Sequence, residues 1–117
     1  MREIDTEVIV KSVKDMVGEA CFTLADGVMD ALKAAEKGEA VSASSFALGA
    51  IIENARIASE NHIPVCQDTG MAVIFAEIGQ DVHITGDDFE TAVNAGVSQG
   101  YVEGLLRKSV VRDPFYD

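Results

Sequence analysis

A thiol, an amide, a carboxylate and a hydroxyl stand in consecutive positions at Cys66-Gln67-Asp68-Thr69, between Pro64 and Gly70. Pro64 fixes its own φ and pushes Ile63 out of the helical region, while Gly70 can take backbone angles closed to other residues, so the segment reads as a shaped loop. Apolar, regular residues lie on either side at 51–57 and 71–78. A loop joining two such core elements is a usual mounting for a site. The side chains have two readings each. Cys66 is a packed small hydrophobe or a nucleophile, although neither histidine is adjacent to it in sequence. Asp68 and Thr69 form an Asx or Ser/Thr turn that opens a strand, or they carry acid-base chemistry. Arg107, taken alone, is a solvated helix-end cation. Cys21, beside the stripe of Val13, Val17 and Leu24, reads as packing. His62 at a helix end and His83 on a strand make no metal-ligand spacing, and two distant cysteines indicate neither a disulfide framework nor a self-contained zinc site.

The elements that must hold this loop are mostly helical. Ile9, Val13, Met16, Val17, Ala20 and Leu24 recur at threes and fours and predict a helix over about 5–24, capped by Asp5 or Thr6. Val28, Ala31, Leu32 and Ala35 predict a second over 26–37, closed by Gly38. Ser42 to Ser45 offer caps for a third, broadly apolar and therefore expected to be buried, which ends near Asn61-His62 before Pro64. The period then changes. Residues 71–78 are apolar on both faces and rich in strand formers, Gly79-Gln80-Asp81 has turn chemistry, and Val82-His83-Ile84-Thr85 alternates, which together predict a β-hairpin. Asp87 and Glu90, spaced as a capping box, open a last helix with Phe89, Ala92, Val93 and Val97 on one face. Gly96, Gly100 and Gly104 recur every fourth residue and permit close backbone packing along one edge. The expectation is an α+β fold, mostly helical with a small β-hairpin or sheet, forming a single domain over 1–117 with the Cys66 loop between the third helix and the first strand.

Composition narrows the partners. A net charge of −11 with only 9 Lys and Arg disfavours nucleic acid, which demands phosphate neutralisation. It is most economically a solvated acidic surface, and a small anionic ligand would need a local cationic pocket. No apolar run approaches membrane-spanning length and the start lacks a signal-peptide core, so the chain reads as cytoplasmic with no membrane partner. The partly aromatic end, Asp113-Pro114-Phe115-Tyr116-Asp117, and a hairpin with unpaired edges suggest a fragment whose apolar surfaces find cover in a homo-oligomer or another chain.

Ile63-Pro64-Val65-Cys66-Gln67-Asp68-Thr69-Gly70-Met71-Ala72-Val73, then Glu77-Ile78-Gly79-Gln80-Asp81-Val82-His83-Ile84, then Gly100-Tyr101 through Leu106-Arg107-Lys108-Ser109-Val110-Val111, resemble the alpha subunit of iron-sulfur fumarate hydratases, the class I fumarases, and L-tartrate dehydratase alpha subunits are similar. The resemblance runs over essentially the whole chain. Family alpha subunits continue well past position 117 and carry two further cluster cysteines there, so the chain is similar to their N-terminal part.

The resemblance implies a hydro-lyase subunit for reversible water removal from a small dicarboxylate, fumarate to L-malate, with a four-iron four-sulfur cluster as Lewis acid and a beta subunit or C-terminal domain as partner. By that similarity Cys66 is the first of three cluster ligands. Gln67 and Asp68 reach the substrate, with Asp68 in proton transfer or in orienting the hydroxyl, and Arg107 grips a substrate carboxylate. A guanidinium fork suits that task, because it pairs bidentately with a carboxylate. With one suitably placed thiolate, the 117 residues alone are not expected to hold the cluster. The competing readings are an L-tartrate dehydratase subunit and a catalytically inert helical assembly module.

Overall fold

The computed structural model describes residues 1–67 and 70–116. Among them, 55% helix in four helices accompanies one two-stranded sheet, an α+β arrangement as the sequence predicts. In order these are β1 (Arg2–Asp5), α1 (Thr6–Phe22), α2 (Val28–Gly38), α3 (Ser42–Asn61), β2 (Val82–Thr85) and α4 (Phe89–Glu103). They group into two compact units, one of residues 1–18 with 67–116 and one of Glu19–Cys66.

In the first unit β1 and β2 pair in parallel, with Arg2 opposite Val82 and Asp5 opposite Thr85. β1 runs straight into α1, where the Asp5 carboxylate caps by accepting from the Glu7 N–H at 2.8 Å. Thr6 is 6% exposed, and its hydroxyl oxygen accepts from the Asp87 N–H at 3.1 Å, which ties the exit of β2 to the start of α1. α4 then packs on α1 through its small residues. A Cβ built on Gly96 would come within 2.7 Å of both the Val10 carbonyl oxygen and Val13 Cβ, and one on Gly100 within 2.9 Å of Val17 Cγ1. Val13, Val17, Ala92 and Leu106 are the buried apolar residues of this unit. The predicted close-packing edge is therefore present at Gly96 and Gly100, while Gly104 lies just outside as the C-cap. Lys14 and Glu103 pair across the helices at 2.9 Å, and this hydrogen bond raises the lysine pKa.

Three sequence expectations are corrected. Residues 71–78 form no strand and stay exposed, Phe75 by 93%, so there is no hairpin; β2 instead pairs with β1, whose four residues Arg-Glu-Ile-Asp carry little strand signal of their own. Strand propensity expresses itself only where a partner edge exists, and the edge for β2 comes from the far end of the chain. The turn itself is real, with the Val82 N–H donating to the Gly79 carbonyl at 3.0 Å. At α4 the cap is Asp88 rather than Asp87, its carboxylate accepting from the Thr91 N–H at 3.0 Å and from the Thr91 hydroxyl, which holds its pKa below the usual aspartate value.

The third correction lies in the second unit. α2 packs against α3, where a Cβ on Gly49 would meet Glu36 Oε1, but α3 buries only Ala55 and Ala58 and leaves Phe46 81% exposed. Its apolar residues face two or more directions, and this unit supplies cover for one. α3 ends at His62 in the left-handed region, its ring edge-on to Phe22 at 6.5 Å. An exposed fan of Arg56 with Glu53 and Glu60 decorates its outer side.

Candidate active site

Two chain segments carry the candidate chemistry, and each is held by identifiable bonds. The first leaves α3 through Ile63-Pro64. The Val65 N–H donates to the Cys21 carbonyl at 3.0 Å, and the Asn54 side-chain amide donates to the Val65 carbonyl at 2.8 Å. Val65 is thus fixed on both sides. Cys66 follows in a bend, exposed and outside any disulfide, and closes the second unit; Gln67, also exposed, opens the stretch of the first unit. Asp68 and Thr69 lie outside the described residues. Gly70 resumes with φ +63°, a conformation that costs glycine nothing.

The role of Cys21 was invisible from residue spacing. Its carbonyl anchors the residue before Cys66, while its half-buried thiol is pushed up in pKa by burial, in keeping with the packing role expected for it.

The second segment follows α4. Leu105 turns the chain with φ +53°, and the Leu106 N–H donates to the Tyr101 carbonyl at 2.9 Å, which seats the 6%-exposed Leu106 side chain in the core. Arg107 emerges exposed, with the Ser109 hydroxyl directed at its carbonyl at 3.5 Å. Lys108 and Ser109 line an open cleft of about 290 Å³, together with Gly70, Asn94, Ser98 and Tyr101. The Tyr101 hydroxyl donates to the Gly70 carbonyl at 3.2 Å across it.

Of the residues singled out from the sequence, Gln67 and Arg107 fall in the first unit and Cys66 at the end of the second. The cleft joins the two motif segments at Gly70 and Lys108-Ser109, and Arg107 is not among its lining residues. Lys108, Ser109 and Tyr101 stood in the motif blocks but received no role there. Their signal was available only as adjacency to Arg107 and Gly100. Among its described lining residues the cleft offers one cation, two hydroxymethyl groups and an amide and no carboxylate, the Tyr101 hydroxyl being engaged with Gly70, in a chain of net charge −11. Such a donor set suits a small anion. Among the described residues no three His, Cys, Asp or Glu side chains gather as a metal site.

The family model described as Fumarate hydratase (Fumerase) matches residues 10–117. The chain belongs to the fumarate hydratase family. A Methanocaldococcus jannaschii protein provisionally named L(+)-tartrate dehydratase subunit alpha is 36% identical over 100 residues, covering 85% of this chain and 35% of that protein. The anaerobic class I fumarate hydratase of Escherichia coli is 43% identical over 58 residues, half of this chain and 10% of the enzyme. A Geobacillus stearothermophilus protein provisionally named fumarate hydratase class I is 29% identical over 106 residues, 90% of this chain and 20% of its own length. The chain thus spans about a third or less of these relatives. No helix among the described residues is long and apolar enough to cross a membrane.

Proposed function

We propose that these 117 residues are the N-terminal part of a hydro-lyase alpha subunit that reversibly dehydrates a small 2-hydroxydicarboxylate, fumarate and L-malate being the preferred pair. The observation that carries this reading is a cleft lined from both motif segments, by Gly70 from one and Lys108-Ser109 from the other. The exposed Cys66, outside any disulfide and preceded by a doubly anchored Val65, fits one thiolate position of an iron-sulfur cluster. The other two thiolates are assigned by resemblance to sequence that follows in longer family members.

Dehydration removes a proton from C3 and hydroxide from C2, the C–H electron pair becoming the second bond of the alkene. When bound, the cluster supplies a Lewis-acidic iron that makes the hydroxyl a better leaving group. Asp68 is the group for the proton or for orienting the hydroxyl, Gln67 hydrogen-bonds the substrate, and Arg107 grips a carboxylate through its fork. Cationic side chains at 107 and 108 supply the local positive charge that an acidic chain must provide for a dianion.

A second reading, an L-tartrate dehydratase alpha subunit working with a beta subunit, is favoured by one observation: of the two relatives that match most of this chain, the one of that name is 36% identical, against 29% for the Geobacillus stearothermophilus protein named fumarate hydratase. The full-length protein, reconstituted anaerobically with iron and sulfide and assayed on fumarate and on L-tartrate, separates the two. Turnover of neither substrate by a cluster-loaded protein would refute both.

A further inference from the structure

We propose that Tyr101 is a positioning residue that ties the two motif segments of the site to one rigid helix. The inference rests on the functional reading above in assigning chemistry to those segments; the tie itself rests on geometry. Gly100 is buried against α1, where any Cβ would press on Val17, so the α4 backbone packs directly on α1 at this point. Tyr101 comes next, half-buried. Its hydroxyl donates to the Gly70 carbonyl at 3.2 Å, and its own carbonyl accepts from the Leu106 N–H at 2.9 Å. One residue therefore holds the last position of Cys66-Gln67-Asp68-Thr69-Gly70 with its side chain and the first of Leu106-Arg107-Lys108-Ser109 with its backbone.

The two bonds are separable. Tyr101→Phe removes the hydroxyl bond, keeps the ring in the cleft, and leaves the backbone bond to Leu106 untouched. Groups that must act together on one substrate lose rate steeply when their mutual placement loosens, so the segment ending at Gly70 should lose effectiveness in the transition state more than in substrate binding. The phenol is not a reacting group in this account, and it acts through the Gly70 backbone.

The test uses the full-length protein with tyrosine, phenylalanine or p-aminophenylalanine at 101, the last restoring a para donor. In the cluster-free protein, amide hydrogen exchange over residues 66–75 should be severalfold faster with phenylalanine, unchanged over α1 and α3, and restored by p-aminophenylalanine. After reconstitution, Tyr101→Phe should lower kcat about tenfold at unchanged iron content, the loss expected for one hydrogen bond, with KM within about twofold. Equal loop exchange in the phenylalanine and tyrosine proteins overturns the tie. So does faster exchange spread over the whole chain, which marks a merely structural residue, or failure of p-aminophenylalanine to restore. Faster loop exchange with unaltered kcat overturns the positioning role. A donor-dependent loop in a cluster-loaded protein that turns over neither fumarate nor L-tartrate supports the tie and sinks the functional reading instead.

Discussion

Gly96→Ala places one methyl group where α4 meets α1, and the structure sets its cost. The added Cβ would lie 2.7 Å from the Val10 carbonyl oxygen and 2.7 Å from Val13 Cβ, with Val13 Cγ1 at 2.9 Å, where ordinary contact begins at 3.4 Å. Two of these neighbours cannot rotate away, being a backbone oxygen and a Cβ, so the helices must part by several tenths of an ångström along the contact that also buries Val17 and Ala92. With two neighbours fixed, the overpacking cost falls in the upper part of its usual range, about 2–3 kcal/mol, and the better helix propensity of alanine returns about 1 kcal/mol. The balance is destabilising by about 1–2 kcal/mol, or a fall in melting temperature of roughly 4–8 °C for a chain of this size. Gly38→Ala is the control, because nothing lies within 4 Å of its Cβ position. Propensity alone then acts, and the melting temperature should hold or rise. Circular dichroism melts of the two variants against the parent decide the matter, and a Gly96→Ala melt equal to or above the parent's would refute the close approach of α1 and α4.

Other perturbations have equally defined outcomes. Thr6→Val keeps the shape of a 6%-exposed side chain but strands the Asp87 N–H, so urea denaturation should show a loss of about 1–3 kcal/mol; an unchanged midpoint would mean that water replaces the hydroxyl. The Asp88 carboxylate is held below the ordinary value of 3.8 by the Thr91 hydroxyl and N–H, so its capping contribution is present above that pH and lost as the group protonates in the native state. The melting difference between the parent and Asp88→Ala should therefore be full at neutral pH and shrink on acidification below about 3.8, and a difference that grows toward acid contradicts the sign. In the reconstituted full-length protein, Asp68→Asn should retain iron and lose turnover, whereas Arg107→Lys should chiefly raise KM, by about tenfold or more, for loss of a charge-assisted fork. Asp68→Asn with near-parental turnover would leave the carboxylate a turn residue.

Much of the scaffold could be read locally, because helices announce themselves through periodicity and caps. α1 and α3 lie within a few residues of their predicted ends, and the Gly96-Gly100 edge packs as its spacing suggests. What escaped was non-local. β1 is four residues with a single apolar side chain, and it is a strand only because Val82–Thr85 runs alongside it. Residues 71–78 show the converse, strong strand propensity with no edge to pair with among the described residues. The burial expected for α3 failed for a similar reason, since apolar composition says that a face needs cover without saying where the cover lies. At the candidate site, the sequence marks out the segment 66–70 by its run of thiol, amide, carboxylate and hydroxyl. The cleft was not legible there, because Tyr101 meets Gly70 through the placement of α4, and Lys108 joins the same cleft only after the turn at Leu105.

If Cys66 ligates the cluster of a hydro-lyase, loss of its thiolate must cost both cluster and turnover. The full-length protein and its Cys66→Ser variant are reconstituted anaerobically side by side, and bound iron, acid-labile sulfide and fumarate hydration are measured on each. Serine keeps the size of the side chain and removes the thiolate, so cluster content and turnover should fall together while the far-ultraviolet circular dichroism stays that of the parent. A Cys66→Ser protein with full iron and sulfide and undiminished turnover would contradict the account.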